Sequence, residues 1–237
     1  NKNTEMIHRD MGQAASAYLA KKLSHIQTMG ISWGKSIYAL AEEFQSDEQP
    51  HVHIVPLIGG MGQSHVAYHS NHLAFQLAQQ LNASSSYVYA PAIADSVEMK
   101  QQLVQSKDVA AVLDEGSSVD FAIVGVGSLT QQTTAIEMGY LNTKDIESLK
   151  AAGAEGDLNS WFFDADGQIV EHPINDRIVG LSPDEIRETP EVMAIAEGEH
   201  KTDSLHTALT SGLANILVTD EQTAENLLKK CSTLEHF

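Results

Sequence analysis

Basic side chains are scarce: 14 lysines and arginines stand against 32 aspartates and glutamates in 237 residues, a formal net charge of −18. A chain that acidic cannot track a phosphate backbone over many base pairs, so by itself it is excluded as a nucleic-acid binder. Cysteine is nearly absent, and the lone Cys231 cannot form an internal disulfide, which fits a reducing cytoplasm. No run approaches the roughly 18 apolar residues of a membrane span, and no basic-then-apolar leader is visible, so a soluble cytoplasmic protein without membrane partners is expected. No repeat at a fixed period of roughly 20 to 50 residues is present, which excludes solenoids and propellers. There is no Walker loop, and Gly125-Val126-Gly127 lacks the third glycine of a dinucleotide fingerprint. Nucleoside triphosphates and NAD are rejected on that ground. His65, His69 and His72 follow helical spacing without the Glu-bearing pattern of a zincin, and Asp164-Ala165-Asp166-Gly167 lacks the remaining ligands of a calcium loop. No metal or other cofactor is expected.

What is present is an alternation of short apolar runs with amphipathic stretches. Ile7, Met11, Ala14, Ala15, Tyr18 and Leu19 mark one face of a first helix. Runs at 29–32, 52–58, 87–91, 119–124, 192–196 and 215–219 read as strands, each too short for a helix. Helical spacing fills the intervals, as at Val66, Leu73, Leu77 and Leu81, all expected on a buried side. Gly153 closes a helix over 144–152, and 153–157 reads as a tight loop. Trp161-Phe162-Phe163 and Gln168-Ile169-Val170 flank 164–167 as a β-hairpin, and Ser182 caps a helix with Pro183 at its first position. Strands alternating with helices predict an α/β fold, a mostly parallel sheet covered on both faces. No shift in composition marks a boundary, so residues 1–237 are expected to form one domain.

Three strands end in glycine-rich loops, at Gly59-Gly60, at Gly125-Val126-Gly127-Ser128 and at Gly198. If those strands are parallel neighbours, the loops converge on one edge, where the ligands of such folds bind. Glycine lets backbone N–H groups approach a ligand, and Gln63, Ser64 and Ser128 add neutral donors. Lys201 adds a full positive charge at a helix start, where free N–H groups and the dipole already favour anions. Asp157 and Lys201 could face each other across this crevice, the carboxylate accepting sugar hydroxyls and the ammonium meeting phosphate. Spacing alone slightly favours the plainer reading, a surface aspartate and a solvated lysine. Glu197 and Glu199 either accept hydroxyls or simply favour the helix N-terminus.

Taken in order, Val55-Pro56-Leu57-Ile58-Gly59-Gly60, Ala122-Ile123-Val124-Gly125-Val126-Gly127-Ser128, Gly153-Ala154-Glu155-Gly156-Asp157 with Phe162-Phe163-Asp164-Ala165-Asp166-Gly167, and Gly198-Glu199-His200-Lys201 ahead of Asn215-Ile216-Leu217-Val218-Thr219-Asp220 form a recognisable series. It resembles the effector-binding domain of the SorC family of bacterial sugar-responsive transcription regulators, from about Met11 to Leu228. The resemblance implies a three-layer Rossmann-like fold similar to glucosamine-6-phosphate deaminase, ribose-5-phosphate isomerase and CoA transferase. It implies a sugar or sugar phosphate effector that allosterically controls operator DNA binding, and a homodimer or homotetramer. It also implies a helix-turn-helix domain upstream, in keeping with a first residue that is Asn1 rather than methionine.

The effector-binding residues implied by the resemblance are Gly59, Gly60, Met61 and Gln63 in the first loop, Asn71 on the following helix, and Gly127, Ser128, Asp157 and Lys201. Glu197 stands where many relatives have glycine. A carboxylate there disfavours a phosphate close by and favours a hydroxyl-rich or uncharged end of the ligand. The alternative is a sugar-phosphate isomerase or deaminase, with Asp157 or Glu197 as base and Lys201 stabilising an enediolate. Fold alone does not separate the two.

Overall fold

The computed structural model describes residues 2–45, 51–60, 65–130 and 133–234. Its first half lays down α1 (Lys2–Lys22), β1 (Thr28–Ile31), α2 (Lys35–Glu43), β2 (His53–Pro56), α3 (Ser70–Leu81), β3 (Ser84–Ser85), α4 (Val97–Gln105), α5 (Lys107–Gly116) and β4 (Phe121–Val124). The second half adds β5 (Val126–Ser128), α6 (Thr134–Glu137), α7 (Thr143–Ala151), β6 (Gly156–Leu158), β7 (Trp161–Phe163), α8 (Pro183–Arg187), β8 (Glu191–Ile195), α9 (Thr202–Thr210), β9 (Ile216–Val218) and α10 (Glu221–Leu234). Six strands form an all-parallel sheet in the order β3-β2-β1-β4-β8-β9. A small antiparallel sheet, β5-β6-β7, grows from the end of β4.

Period-two alternation along the strands builds three layers. Phe121 and Ile123 of β4, with Met193 and Ile195 of β8, join the core shared with α1, α2 and α3. Their neighbours Ala122, Val124, Val192 and Ala194 join the opposite core, under α5, α8 and α9. Successive side chains of one strand face opposite layers, so a central strand must be apolar throughout, as β4 is. A third cluster, with Leu129, Ile146, Leu149 and Phe162, seats α7 against the small sheet. Helix starts follow their caps. Asn142 opens α7 and Ser182 opens α8 through reciprocal side-chain and backbone bonds, with Pro183 in the first turn of α8. The 164–167 turn closes as expected: Asp164 Oδ1 accepts from the N–H groups of Asp166 and Gln168, and Phe163 bridges Ile169.

The structure departs from the sequence expectations at several places. His65 adopts a left-handed backbone (φ 52°), so Val66 falls in a separate 3-10 turn and is exposed, and α3 starts only at Ser70. His65 and His69 therefore precede the helix that carries His72. Segment 87–91 is no ladder strand but touches the sheet through one bridge, Gly60 to Pro91, because a proline has no N–H to continue a ladder. Residues 156–158, within and just beyond an expected loop, form the middle strand of the small sheet. Finally, β9 is half-buried rather than buried, since it is the edge strand of its sheet. Among the described residues, no helix is long and apolar enough to cross a membrane.

Candidate functional site

Parallel pairing brings the C-terminal ends of β1, β4 and β8 side by side. The loops that leave them enclose a cavity of about 230 Å³. Residues 32–36 contribute from the β1–α2 loop, residues 125–128 from the end of β4, Asp157 and Asn159 from the small sheet, and Glu197, His200 and Lys201 from the loop after β8. Thr4 and His8 of α1 and residues 133–135 complete the wall. This volume lies below the roughly 300–1,000 Å³ typical of drug-sized ligands and suits a monosaccharide-sized molecule.

The small sheet positions the first carboxylate. Antiparallel register sets Gly127 opposite Asp157, and a Cβ at residue 127 would overlap Asp157 Oδ1. Only glycine leaves the carboxyl in place. Burial pushes the Asp157 carboxyl up to about 6, against the opposing pull of the Lys201 charge and the Ser160 backbone N–H. Asn159, at φ 52°, holds this sheet to the main one: its amide donates to the carbonyls of Leu57 and Leu181, and its Oδ1 accepts from Ser32 Oγ at 2.7 Å. Asparagine tolerates that left-handed backbone better than most residues. Trp33 Nε1 adds a second tie, donating to Ser160 Oγ at 2.8 Å.

The second carboxylate is Glu197. Burial opposes its ionisation, yet its pKa is held down to about 2 by His8, Lys201 and Ser36 together. His8 Nε2 donates to Oε1 at 2.6 Å and Ser36 Oγ donates to Oε2 at 2.8 Å. The turn behind it is pinned by Gly198, whose φ of 104° suits glycine and whose N–H is shared by Asp220 Oδ2 and Thr223 Oγ1. Lys201 ends a 3-10 turn immediately before α9 and acts electrostatically on both carboxylates. Burial, then the Lys201 charge, lower the pKa of neighbouring His200, with Glu197 opposing.

Donors complete the wall. Gly34, at φ 132°, starts α2 without a side-chain cap, and the N–H groups of Lys35, Ser36 and Ile37 have no acceptor among the described residues. All three residues line the cavity. Lys35 itself is ion-paired with Glu137 of α6. Ser128 Oγ is buried with no partner among the described residues. An unsatisfied buried hydroxyl costs roughly 1–3 kcal/mol, a debt that a hydroxylated ligand in the cavity would relieve. Among the described residues, no group of three or more His, Cys, Asp or Glu side chains is arranged to hold a metal.

Of the residues singled out from sequence, Gly127, Ser128, Asp157, Glu197 and Lys201 come together in this cavity. Gly59, Gly60 and Asn71 are not in its lining, because β1 stands between β2 and β4. The N–H of Gly59 donates to Val179 and that of Gly60 to Ala90, and a Cβ on Gly59 would overlap the carbonyls of Ala90 and Pro91. Asn71 exchanges two hydrogen bonds with the backbone of Val88. Met61 and Gln63 lie outside the described residues. The loop in their place is Trp33-Gly34-Lys35-Ser36, which follows an apolar run and precedes a helix, as Gly198 to Lys201 does. That shared pattern was readable. Nothing local announced His8.

A family model described as "Putative sugar-binding domain" matches residues 1–229. The chain is 30% identical over 221 residues to the sorbitol operon regulator of Klebsiella pneumoniae, covering 92% of this chain and 70% of that protein. It is 28% identical over 222 residues to the deoxyribonucleoside regulator of Bacillus subtilis, covering 94% and 71%. A solved DeoR family transcriptional regulator from Listeria monocytogenes superposes with a TM-score of 0.89 at 38% identity, covering 94% of this chain and 88% of that one.

Proposed function

The chain belongs to this sugar-binding domain family, and from that premise we propose that it is the effector-sensing part of a bacterial transcription regulator. A sugar or sugar phosphate occupies the cavity at the ends of β1, β4 and β8 and changes the regulator's affinity for operator DNA. The DNA contact is made by a helix-turn-helix domain upstream of residue 1, in a cytoplasmic homodimer or homotetramer. One observation carries the reading: two carboxylates, an ammonium and a buried hydroxyl without a partner among the described residues line one sugar-sized cavity. A polyol needs acceptors and donors in alternation, and Asp157, Glu197, Ser128, Lys201 and the first turn of α2 supply both. The relatives named above are regulators, and the comparisons give the isomerase or deaminase alternative no support.

Control of DNA binding requires the ligand to favour one of two arrangements. Helix α1 is the element placed to report it, since Thr4 and His8 lie in the cavity wall at the N-terminal end of the chain. Thermal denaturation against a library of monosaccharides, sugar alcohols and their phosphates tests the function. A ligand at a hundred times its Kd stabilises by about 2.7 kcal/mol, which raises the Tm of a chain this size by roughly 5–10 °C. A library in which no sugar shifts the transition would contradict the proposal.

A further inference from the structure

Resting on that reading of the cavity, we infer that the ligand is an unphosphorylated sugar or sugar alcohol, and that Glu197 is the residue that excludes phosphate. The ingredients of an anion site are present: amides without an acceptor among the described residues at the start of a nine-residue helix, α2, and a lysine in the same wall, Lys201. The anion is already supplied by the protein. Glu197 accepts from Ser36 in the first turn of α2 and lies within the field of Lys201. Two further donors of the wall, Lys35 and His8, are engaged. Lys35 is ion-paired with Glu137, and the Nε2–H of His8 is spent on Glu197. Asp157 brings a second carboxylate that shares the same Lys201.

A phosphomonoester carries roughly 1.5–2 negative charges at neutral pH and would be confined with two carboxylates already served by one lysine. Like charges held this close repel, and more strongly beside partly buried groups than in open water. A neutral polyol meets no such repulsion. A carboxylate offers about four lone-pair positions, and Glu197 spends two of them on His8 and Ser36. The remaining positions are left to accept hydroxyls of a ligand in the cavity that Glu197 lines. The Ser128 hydroxyl and these α2 amides can donate to hydroxyl oxygens without needing a formal charge on the ligand.

Isothermal titration of the wild-type chain with matched pairs tests this: sorbitol and sorbitol 6-phosphate, fructose and fructose 6-phosphate, ribose and ribose 5-phosphate, deoxyribose and deoxyribose 5-phosphate. In the pair that binds best, the neutral member is expected to bind at least tenfold more tightly than its phosphate. The Glu197→Gln variant is expected to tighten the phosphorylated member by tenfold or more. A phosphorylated member that binds more tightly to the wild type overturns the exclusion of phosphate while leaving sugar sensing intact. A Glu197→Gln preference equal to that of the wild type overturns the role of Glu197. No binding by any member of any pair overturns the sugar reading together with the inference. The wild-type comparison needs no variant, so a poorly folded Glu197→Gln protein would not block the test.

Discussion

His8 and Glu197 are 189 residues apart in the chain and meet with Nε2 2.6 Å from Oε1. The bond joins the first helix to the loop after β8, directly at the cavity wall. Hydrogen bonds to charged groups contribute roughly 1.5–3 kcal/mol, and both side chains here are mostly shielded from solvent. Replacing His8 with alanine is therefore expected to lower stability by about 1–3 kcal/mol at pH 7. Urea denaturation checks it: the midpoint falls while the slope stays constant. An unchanged midpoint would mean that the contact does not hold α1 in place.

The two cavity carboxylates predict opposite pH dependences. Glu197 is held down to about 2 from an unfolded value near 4.5, so its contribution is present above pH 4.5 and is lost as pH falls through about 2. Asp157 is pushed up to about 6 from 3.8, so its contribution is present below pH 3.8 and is lost as pH rises through about 6. Asparagine mimics the neutral acid. The stability of Asp157→Asn minus that of the wild type should therefore rise between about pH 4 and 6, measured by thermal melts across that range. A difference that is flat over those two units would show that Asp157 is not buried in the way described.

Gly127 is required by its neighbour. A methyl group there would overlap Asp157 Oδ1 across the β5–β6 pair, forcing the carboxyl aside. Gly127→Ala is expected to cost roughly 1–3 kcal/mol, in the range of other overpacking substitutions. It should also weaken sugar binding by about tenfold or more. Titration together with denaturation separates the two effects, and full affinity in a folded Gly127→Ala protein would show that the Asp157 position is not needed.

Ser128 gives a prediction whose sign depends on the ligand. Its hydroxyl is buried and has no partner among the described residues, so Ser128→Ala removes an unsatisfied group and should leave the free protein unchanged or up to about 1 kcal/mol more stable. With sugar bound, the same change removes a hydrogen bond worth about 0.5–1.5 kcal/mol, a loss of roughly two- to tenfold in affinity. Melting curves with and without sugar read both signs.

Most of the framework was legible because burial on both faces leaves an unbroken apolar run, as at Phe121 to Val124 and Val192 to Ile195. Lys201 and Gly127 were legible as site residues for a related reason, since a strand that hands a glycine loop to the next element is a local pattern. Which loops meet was not legible. Strand order places β1 beside β4 and sends the Gly59 loop one strand further away, and that order depends on pairing Met29 with Phe121 and Phe121 with Glu191, segments far apart in the chain. The partnership of His8 with Glu197 was hidden for the same reason. β3 was lost to a different cause: two serines at a sheet edge carry no apolar signature.

Lys201 sits where the three loops meet and acts on both carboxylates, so its removal bears most directly on whether they form one sugar pocket. The decisive measurement is calorimetric titration of the wild type and of Lys201→Ala with the tightest-binding sugar of the library, after denaturation has shown that the variant folds. The expected result is a loss of at least tenfold in affinity, or about 1.4 kcal/mol. A folded Lys201→Ala protein that binds the sugar as tightly as the wild type would contradict the pocket.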